Sequence, residues 1–513
     1  MITITLILVV IVALYLYGTR NFKYWEQKGV KHDKPIPFFG NNLKNFFLKR
    51  SMTQLMVEMY WKYPTAKIVG FYRASNPQLI IRDPEIVKQV LTTDFAYFYA
   101  RGLQHKNIPV EPLLKNLFTV DGDTWRLLRQ RMTPAFSSGK LKAMFPLIVE
   151  RAERLQERLH SAAMAGREID ARDLMARYTT DFIGACGFGL DADTLHDENS
   201  AFRKVGATIF NFGFKDMLVL MLKEIAPQLF KHLKRTYRME KAVFSLVNTV
   251  LRQRNYRHSG RNDFIDLLLE CKGMGTMTGD SIERVQPDGT PEIATLEMDD
   301  ELLAAQVFIF FAAGFETSSS ATSFTLHELS YNISVQEKVQ NEIDRVIAKY
   351  NNKLSYEAIK EMTYLQWSLK EGIRMFPPIG FLMRECTRKY TFKELDLTID
   401  EGVRIIVPVQ AMQNDSKYFD NPTEFRPERF SPQNFDLSNK HVYLPFGEGP
   451  RACIGERLGM MQSVAGLAAV LSRFSVRPAT STRRHPVIDP AAGVVQIIKG
   501  GLPLLFIDRS SSS

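Results

Sequence analysis

A single cysteine in a glycine-rich segment near the C-terminus is the strongest chemical feature of this sequence. Cys453 stands in Leu444-Pro445-Phe446-Gly447-Glu448-Gly449-Pro450-Arg451-Ala452-Cys453-Ile454-Gly455, and apolar residues recur at helical spacing after it. Cys453 is therefore predicted at or just before a helix start, where the helix dipole and unpaired backbone N–H groups favour a thiolate. Arg451 adds a forked cationic donor suited to carboxylates. The pattern indicates an iron ligand for a cofactor that carries carboxylates.

Three other kinds of site use a similar segment. The spacing Gly447-x-Gly449-x-x-Ala452 matches the dinucleotide-binding pattern in outline, but Pro445 interrupts the strand that must precede it. The acidic residue that this pattern needs about 20 positions later is also missing. A zinc site needs clustered ligands, whereas the four cysteines stand far apart. A buried structural cysteine is the common role of an isolated Cys, and the flanking glycines and arginine disfavour it here.

The second chemical feature is a long apolar helix with polar residues in its middle. The segment from Leu302 to Phe315 is almost entirely apolar, which predicts a helix buried on every side. Glycine and a buried carboxylate then follow, at Gly314 and Glu316, where both are costly. Such local violations point to a functional site. Gly314 would let a flat group approach, and the Thr317 hydroxyl would bond back to the Ala313 carbonyl. A core helix with a satisfied polar cluster is the alternative.

These segments together resemble the cytochrome P450 family. Phe446-x-x-Gly449-x-Arg451-x-Cys453-x-Gly455 matches the family's haem-binding signature at each defined position, and residues 313–318 match its oxygen-binding pattern. Trp125-x-x-x-Arg129, Glu371-x-x-Arg374 and a proline-containing connector at residues 34–40 match as well. The motifs run through essentially the whole chain in the family's order. The sequence is similar in texture to insect microsomal members of the xenobiotic-metabolising family 6.

The resemblance implies a mainly α fold with minor β sheets, in which haem b is buried between an oxygen-side helix and the cysteine loop. Cys453 would be the thiolate ligand of the iron. Thr317 and Glu316 would be the catalytic groups, because oxygen activation needs protons in an otherwise dry site. The other implied haem contacts are Phe446, Gly447, Arg451, Ala313 and Gly314, with Trp125, Arg129, Arg384 and Arg101 as propionate donors.

The resemblance also implies structural and substrate-binding residues. Glu371, Arg374 and Arg429 would hold the fold around the cysteine loop, because the family pairs its Glu-x-x-Arg motif with a downstream arginine. Substrate contacts are expected from an apolar, aromatic-lined set: Phe118, Phe212, Phe308, Phe311, Phe381 and Leu382. The apolar stretch at 209–230 is expected to form a lid that dips into the membrane, so that a lipophilic substrate arrives from the bilayer.

The N-terminus from Ile2 to Tyr17 is almost continuously apolar and is followed by basic residues. A helix extended to Tyr24-Trp25 would span a bilayer with aromatic side chains at the interface. A cleaved signal would need positive charge before the apolar run, which is missing. We expect a membrane anchor at residues 1–25 in the endoplasmic reticulum and a hinge at 26–41. A haem-thiolate domain at 42–508, facing the cytoplasm, and a polar tail at 509–513 would follow.

Composition and charge limit the partners. The chain has 513 residues and a formal net charge of +10, but no run rich in lysine and arginine, so nucleic acid is not an expected partner. Four scattered cysteines indicate a reducing compartment. A basic cluster is expected to attract an acidic reductase to the proximal side of the haem; its members are Arg126, Arg129, Arg131, Lys140 and Lys142.

Helices are predicted for most of residues 84–472, with β-like segments at 66–71, 78–81, 403–407, 494–498 and 502–506. An irregular surface loop is predicted at 272–296. The implied function is insertion of one oxygen atom from O₂ into a lipophilic small molecule, of the xenobiotic or plant- and insecticide-compound type. NADPH would act through NADPH–cytochrome P450 reductase, and the resemblance allows cytochrome b5 as a further partner. A reductase-independent isomerase of the same fold and a non-catalytic haem protein that sequesters lipophilic compounds are the alternatives.

Overall fold

The computed structural model describes residues 1–104, 110–189, 193–197, 213–234, 236–260, 263–435 and 440–511. Its helices are α1 (Ile2–Thr19), α2 (Tyr24–Gln27), α3 (Leu43–Phe46), α4 (Met52–Lys62), α5 (Pro84–Lys88), α6 (Gly122–Met132), α7 (Ser138–Met164), α8 (Ala171–Ile183), α9 (Phe214–Ile225), α10 (Tyr237–Gln253), α11 (Phe264–Gly273), α12 (Asp300–Tyr331), α13 (Ile333–Lys349), α14 (Tyr356–Glu361), α15 (Thr363–Met375), α16 (Val409–Met412) and α17 (Glu456–Arg473). The strands are β1 (Ile68–Arg73), β2 (Asn76–Ile81), β3 (Ile169–Asp170), β4 (Met277–Val285), β5 (Pro291–Leu296), β6 (Leu382–Glu385), β7 (Tyr390–Phe392), β8 (Leu397–Ile399), β9 (Arg404–Val407), β10 (Phe474–Pro478) and β11 (Pro503–Asp508). The predicted mainly α class with minor sheets is confirmed.

The long helix α12 lies at the centre of the main hydrophobic core. The Asp299 side chain accepts a hydrogen bond from the Leu302 amide (2.7 Å) and so caps its first turn. Apolar residues on several faces, from Leu302 to Leu329, bury the helix against α8, α15 and α17. This burial agrees with the all-round apolar pattern of the sequence, and it places residues 313–317 in the middle of the molecule.

A second core lies around a four-stranded sheet with the order β1-β2-β9-β6. β1 pairs with β2 and β6 pairs with β9 in antiparallel fashion, whereas β2 and β9 are parallel. Because β6 ends this sheet, its register fixes Arg384 opposite Ile405. The remaining sheets are β10-β11-β3, β4-β5 and β7-β8.

The apolar helix α1 is long and apolar enough to cross a membrane, and nearly all of its side chains are exposed. α12 passes the same length and composition test, but it is a buried core helix. α1 ends at Thr19, and Trp25 is fully buried in the body of the protein, where its indole N–H donates to the Phe71 carbonyl (3.2 Å). The expectation that Trp25 lies at a membrane interface is therefore wrong, because β1 provides it with a packed site.

The segment predicted as an irregular loop at 272–296 is instead a β-hairpin. β4 pairs with β5 in antiparallel register, and Met277 and Ala294 from the two strands are buried. Few apolar residues are needed for this hairpin because polar contacts attach it to α6: the Asp123 carboxylate accepts from the Ser281 hydroxyl (2.8 Å) and the Ile282 amide (2.7 Å). Ser281 is 158 residues from Asp123 along the chain, so no local pattern revealed this packing.

Other predicted segments are shifted or missing. The strand predicted at 494–498 does not form, and only an isolated bridge joins Ile488 to Ile498. The segments predicted at 66–71, 78–81, 403–407 and 502–506 correspond to β1, β2, β9 and β11, with small shifts of their ends. In the predicted lid, residues 209–212 lie outside the described ranges, and α9 forms most of the rest.

Candidate active site

The cysteine loop is a tight turn stabilised by its own backbone. A single 3₁₀ turn runs over Gly449–Arg451, with Pro450 as its second residue. Cys453 lies two residues after this turn and three residues before the start of α17. The Cys453 amide donates to the Phe446 carbonyl (2.8 Å), which folds the loop back on itself. Gly447 and Gly449 have φ values of 71° and 73°, and a Cβ at Gly449 would also collide with the Leu91 carbonyl oxygen. Glycine is therefore required at both positions.

The Cys453 side chain is exposed along this loop, yet the surrounding protein atoms raise its pKa. Desolvation of the thiolate by the surrounding protein is the main cause, and a hydrogen bond from the Gly455 amide and the charges of Arg129 and Arg101 oppose it. The helix start and the cations expected from the sequence are thus present, but they do not outweigh desolvation. Both contributions lower the pKa of the thiol, as the sequence predicts, and a metal cation at the sulfur is the kind of charge that would reverse the balance.

Three arginines lie beside the loop, with Arg384 and Arg451 buried and Arg101 half-buried, and the charge of Asp121 acts on all three. Arg451 donates to Asp121 (2.6 Å) and to the Tyr99 and Val120 carbonyls (2.8 and 3.0 Å). Arg101 donates to the Arg451 carbonyl (3.2 Å) and through its own amide to Asp121 (2.8 Å). Arg384 donates to the Met383 carbonyl (2.7 Å), and its buried Nε has no partner within the described ranges.

The pKa values of these arginines show how poorly their charges are compensated. Burial lowers the pKa of Arg101 to about 10 and that of Arg451 to about 9, against the opposing charge of Asp121. The pKa of Arg384 falls well below its usual range, first because of burial and then because of repulsion by Arg101 and Arg451. The group therefore lacks negative charge, which a ligand with carboxylates would supply.

Helix α6 adds the predicted tryptophan and arginine to this group. The Arg451 guanidinium lies over the Trp125 ring, 4.2 Å from its centroid. Arg129 donates to the Ala452 carbonyl (2.9 Å), next to Cys453. Asp121, the residue before this helix, binds arginines instead of capping it. The Asp123 amide instead donates to Glu283 of the hairpin (3.1 Å). Sequence reasoning missed both Asp121 and Glu283, because no motif marks them.

On α12 the structure separates the predicted oxygen-side residues. Ala313 is exposed in the middle of the helix, and Ile309 and Thr317, one turn to each side, are half-buried. These three positions form one open face. The Thr317 hydroxyl donates to the Ala313 carbonyl (2.6 Å), as the sequence predicts. Ile309 was not recognised from the sequence, although its spacing of four residues from Ala313 places it on the same face.

Gly314 and Glu316 point away from that face. A Cβ at Gly314 would lie 2.5 Å from the Ile183 Cδ1 atom, so this glycine permits close packing of α12 on α8. Gly314 was predicted to make room for a flat group, but the space that its missing side chain leaves faces Ile183 of α8, so that prediction is wrong. Glu316 is 2% exposed and forms an ion pair with Arg172 of α8. Arg172 is itself 21% exposed, so the pair joins the core to the surface.

The residues expected to support the loop come together in a buried network. Arg374 donates to both oxygens of Glu371 (2.7 and 2.9 Å), and Arg429 donates to Glu371 (3.1 Å). Arg374 also binds the carbonyl of Gln413 (2.8 Å), whose side-chain oxygen accepts from the Leu444 amide (2.9 Å) at the start of the cysteine loop. The network therefore contacts the loop but contributes no side chain to the open face.

The expected substrate-contact residues have different environments. Phe308 and Phe311 are buried core residues that lie off the open face. Phe381 packs against the small core beside α4 and β1, and Phe118 lies against Arg101, 4.4 Å from its guanidinium carbon. Leu382 is next to the cysteine loop, 3.9 Å from where a Gly447 Cβ would be. Phe212 lies outside the described residues. Ile309, Leu382 and Phe118 are thus better placed near the loop and open face than Phe308 or Phe311.

The fold and this site define the class. A cytochrome P450 family model matches residues 30–504, and the chain belongs to the cytochrome P450 family, whose members are haem-dependent monooxygenases. The chain is 37% identical over 495 residues to cytochrome P450 6a2 of Drosophila melanogaster, with 95% of each chain covered. It is 35% identical to cytochrome P450 6B2 of Helicoverpa armigera over 505 residues, with 98% of each covered. Identity to cytochrome P450 6B1 of Papilio polyxenes is also 35%, over 507 residues and 97% of each chain.

The family cofactor, haem b, fits the residues present. A thiol stands at the end of a tight loop, and the positive charges of the neighbouring arginines are only partly compensated by Asp121, so the carboxylates of a ligand would complete the compensation. The unpartnered Arg384 Nε supplies a donor without an acceptor. This monooxygenase therefore has the donors that its family's cofactor requires.

Proposed function

We propose that this monooxygenase oxidises lipophilic small molecules of the xenobiotic or plant-compound type. Its electrons would come from NADPH through NADPH–cytochrome P450 reductase. The observation that carries the proposal is the Cys453 thiol beside Arg101, Arg384 and Arg451, whose positive charges Asp121 compensates only in part. This set suits a cofactor that brings one metal cation and two carboxylates.

We assign Cys453 as the ligand of the haem iron. The propionates would be held by Arg101, Arg384 and Arg451, with Arg129 and Trp125 of α6 at the edge of the site. Bound haem supplies the activation of O₂. The protein fixes the sulfur by the bond from the Cys453 amide to the Phe446 carbonyl, so the loop does not have to reorganise when the cofactor binds.

Thr317 and Glu316 are proposed to hold and move protons. The Thr317 hydroxyl lies on the open face and is held on the Ala313 carbonyl (2.6 Å). A rotation about χ1 would let it donate toward that face instead. Glu316 does not lie on that face, but its partner Arg172 is partly exposed. We propose that this pair connects the helix interior to solvent protons and that Thr317 presents a proton at the open face.

The substrate is proposed to be apolar and to approach from a membrane. The open face of α12 contributes the Ile309 and Ala313 side chains, which offer no charge. Near the end of α1, the Tyr17 hydroxyl donates to the Ile225 carbonyl of α9 (2.8 Å). The same helix, α9, also exposes the apolar side chains of Phe214 and Leu218. An exposed apolar surface next to a candidate membrane helix favours contact with lipid.

The proposed location is the endoplasmic reticulum membrane, with the body of the protein in the cytoplasm. Basic residues follow α1, at Arg20 and Lys23, and a positive flank is typical of the cytoplasmic end of a membrane helix. α1 would be the anchor. The proline-containing segment after it would connect the anchor to the body.

Reductase docking is proposed at the basic residues near α6. Lys142 already pairs with Glu357 (2.5 Å), whereas Lys140 has no ion pair within the described ranges. Charge reversal at Lys140 should therefore weaken the salt dependence of reduction more than reversal at Lys142. Equal, small effects of both reversals would argue against docking at this surface.

The test is reconstitution of the haem-loaded full chain with reductase, NADPH and a panel of apolar compounds. The expected result is NADPH- and O₂-dependent formation of oxygenated product, together with a ferrous–CO absorption band at the thiolate position. Cys453→Ser should remove that band while the fold remains intact. Product formation without reductase would favour the isomerase alternative, and ligand binding without turnover would favour sequestration.

A further inference from the structure

Gln462 of α17 joins the helix that follows the cysteine loop to the middle of α12. Its side chain is 1% exposed, and its Nε2 donates to the Gly314 carbonyl (2.9 Å). Gln462 lies nine positions after Cys453, and Gly314 lies three positions before Thr317. One side-chain hydrogen bond therefore connects the proposed sulfur side to the turn that carries the proposed oxygen-side hydroxyl.

Four successive carbonyls of that turn receive side-chain donors. Within the helix, Ala313 accepts from Thr317 (2.6 Å) and Glu316 accepts from Ser319 (3.0 Å). From other helices, Gly314 accepts from Gln462 (2.9 Å) and Phe315 accepts from Thr179 of α8 (2.9 Å). A second donor on a helical carbonyl draws the oxygen outward and weakens its bond to the amide one turn later. The turn from residue 313 to 317 is therefore shaped from outside as well as by its own backbone.

Gln462 is the least ambiguous of the outside donors. The Thr179 hydroxyl lies equally close to the Met175 carbonyl of its own helix (2.9 Å), so its single proton is shared. The Gln462 amide has two protons, and the Gly314 carbonyl fixes which end of the amide faces α12. Its Oε1 is buried and has no partner within the described ranges.

The backbone beneath Gln462 is also fixed. The Tyr178 hydroxyl of α8 donates to the Gln462 carbonyl (3.1 Å). Close packing of α17 on the same tyrosine requires glycine at position 466, since a Cβ there would lie 2.6 Å from the Tyr178 ring. The donor thus arises from a backbone that cannot shift easily, which is what accurate positioning of a catalytic turn requires.

We propose that Gln462 is a positioning residue for oxygen activation. It holds the Gly314 carbonyl and thereby sets the geometry from which Thr317 presents its hydroxyl. The inference rests on the proposed role of Thr317. Loss of the Gln462 donor should leave haem binding intact and should misplace the proton donor, so that more of the NADPH consumed yields hydrogen peroxide instead of product.

The first test compares Gln462→Leu with Gln340→Leu in the haem-loaded full chain. Gln340 is a matched control because it is also buried and donates to a backbone carbonyl, that of Phe474 (3.2 Å), which is not part of the 313–317 turn. We expect both variants to keep the ferrous–CO band. Only Gln462→Leu should speed amide hydrogen exchange in the peptide covering residues 313–318 and raise the peroxide-to-product ratio. We expect the exchange rate and the peroxide-to-product ratio each to rise about fivefold. This factor corresponds to ~1 kcal/mol, the net contribution of one neutral hydrogen bond.

The second test uses Gln462→Glu and pH. An ionised glutamate cannot donate to the Gly314 carbonyl, whereas a protonated one can. The peroxide fraction of this variant should therefore fall between pH 8 and pH 6, while that of the wild-type enzyme and of Gln462→Leu should not. This comparison remains decisive if Gln462→Leu fails to fold.

The proposal is overturned if Gln462→Leu matches the Gln340→Leu control in both exchange and peroxide ratio. A pH-independent peroxide fraction in Gln462→Glu would also overturn it. The exchange experiment does not depend on turnover. If Gln462→Leu alters exchange but the wild-type protein forms no product from any substrate, the proposed function is rejected. The structural role of the bond from Gln462 to the Gly314 carbonyl is then still supported.

Discussion

The buried Glu371 network offers a quantitative test, because Arg429 has one fully buried and one exposed acidic partner. It binds Glu371, which is 0% exposed, and also Asp420 (2.5 Å), whose side chain is 69% exposed. In Glu371→Gln the amide can keep an oxygen where Arg429 and the Arg426 amide donate (both 3.1 Å). The NH₂ group of the new glutamine then faces the Arg374 Nε, which in the wild-type protein donates to the second Glu371 oxygen (2.7 Å).

The expected cost follows from this geometry. Glu371→Gln removes the charge opposite two buried guanidinium groups and sets two donors against each other, which should lower the free energy of unfolding by about 3–5 kcal/mol. Asp420→Asn removes the charge of an exposed carboxylate and leaves Arg429 paired with Glu371, so it should cost less than about 1 kcal/mol. Since a domain is typically stable by only about 5–15 kcal/mol, Glu371→Gln should remove a large part of the total.

Urea unfolding of both variants, followed by far-UV circular dichroism, measures the difference. Glu371→Gln should unfold at a much lower urea concentration and lose haem more readily, since Arg374 supports the cysteine loop through Gln413. Equal shifts for Glu371→Gln and Asp420→Asn, or a loss below about 1 kcal/mol for Glu371→Gln, would refute the reasoning from burial.

Three further outcomes are expected. Arg384→Gln should stabilise the haem-free protein in thermal unfolding, because it removes a buried positive charge that Arg101 and Arg451 repel. It should also speed haem transfer to an acceptor protein by about tenfold or more, since a charge-assisted hydrogen bond contributes about 1.5–3 kcal/mol. An unchanged rate of haem transfer would contradict a contact between Arg384 and a propionate. Gly314→Ala should lower the free energy of unfolding in urea by about 1–3 kcal/mol, because the added Cβ overpacks against Ile183. Adding Ile183→Val removes the colliding Cδ1 and should restore most of that free energy. If the losses of the two single variants simply add in the double variant, the clash is not the cause. Glu283→Gln should destabilise α6 by about 0.3–1 kcal/mol. The readout is faster hydrogen exchange at the Asp123 amide, which donates to the Glu283 carboxylate. Exchange at the wild-type rate would show that the hairpin does not cap this helix.

Local motifs carried a large part of the site. The bond from Thr317 to the Ala313 carbonyl was predictable because side chains four residues apart meet on a helix. The cysteine before α17 was predictable because glycine, proline and the following apolar period mark a turn into a helix. These interactions lie within about one or two helical turns of sequence, so the residues that make them are visible together.

Interactions between distant segments were not predictable in the same way. Trp25 is packed by β1, the hairpin at 277–296 is attached by Asp123, and Glu316 is paired with Arg172. A sequence pattern can show that a tryptophan or a carboxylate needs a partner, but many residues could satisfy it. Gly314 was misread for this reason, since its unusual position was visible and its neighbour Ile183 was not.

The sequence by itself determined the family, the cysteine loop, the polar turn in the core helix and the candidate membrane helix, because each depends on residues close together in the chain. Only the tertiary structure decided that Gly314 faces α8, that Asp121 accepts from both Arg451 and the Arg101 amide, and that Gln462 binds the turn before Thr317. Burial and hydrogen bonding act through space, and the partners that they select lie up to several hundred residues apart.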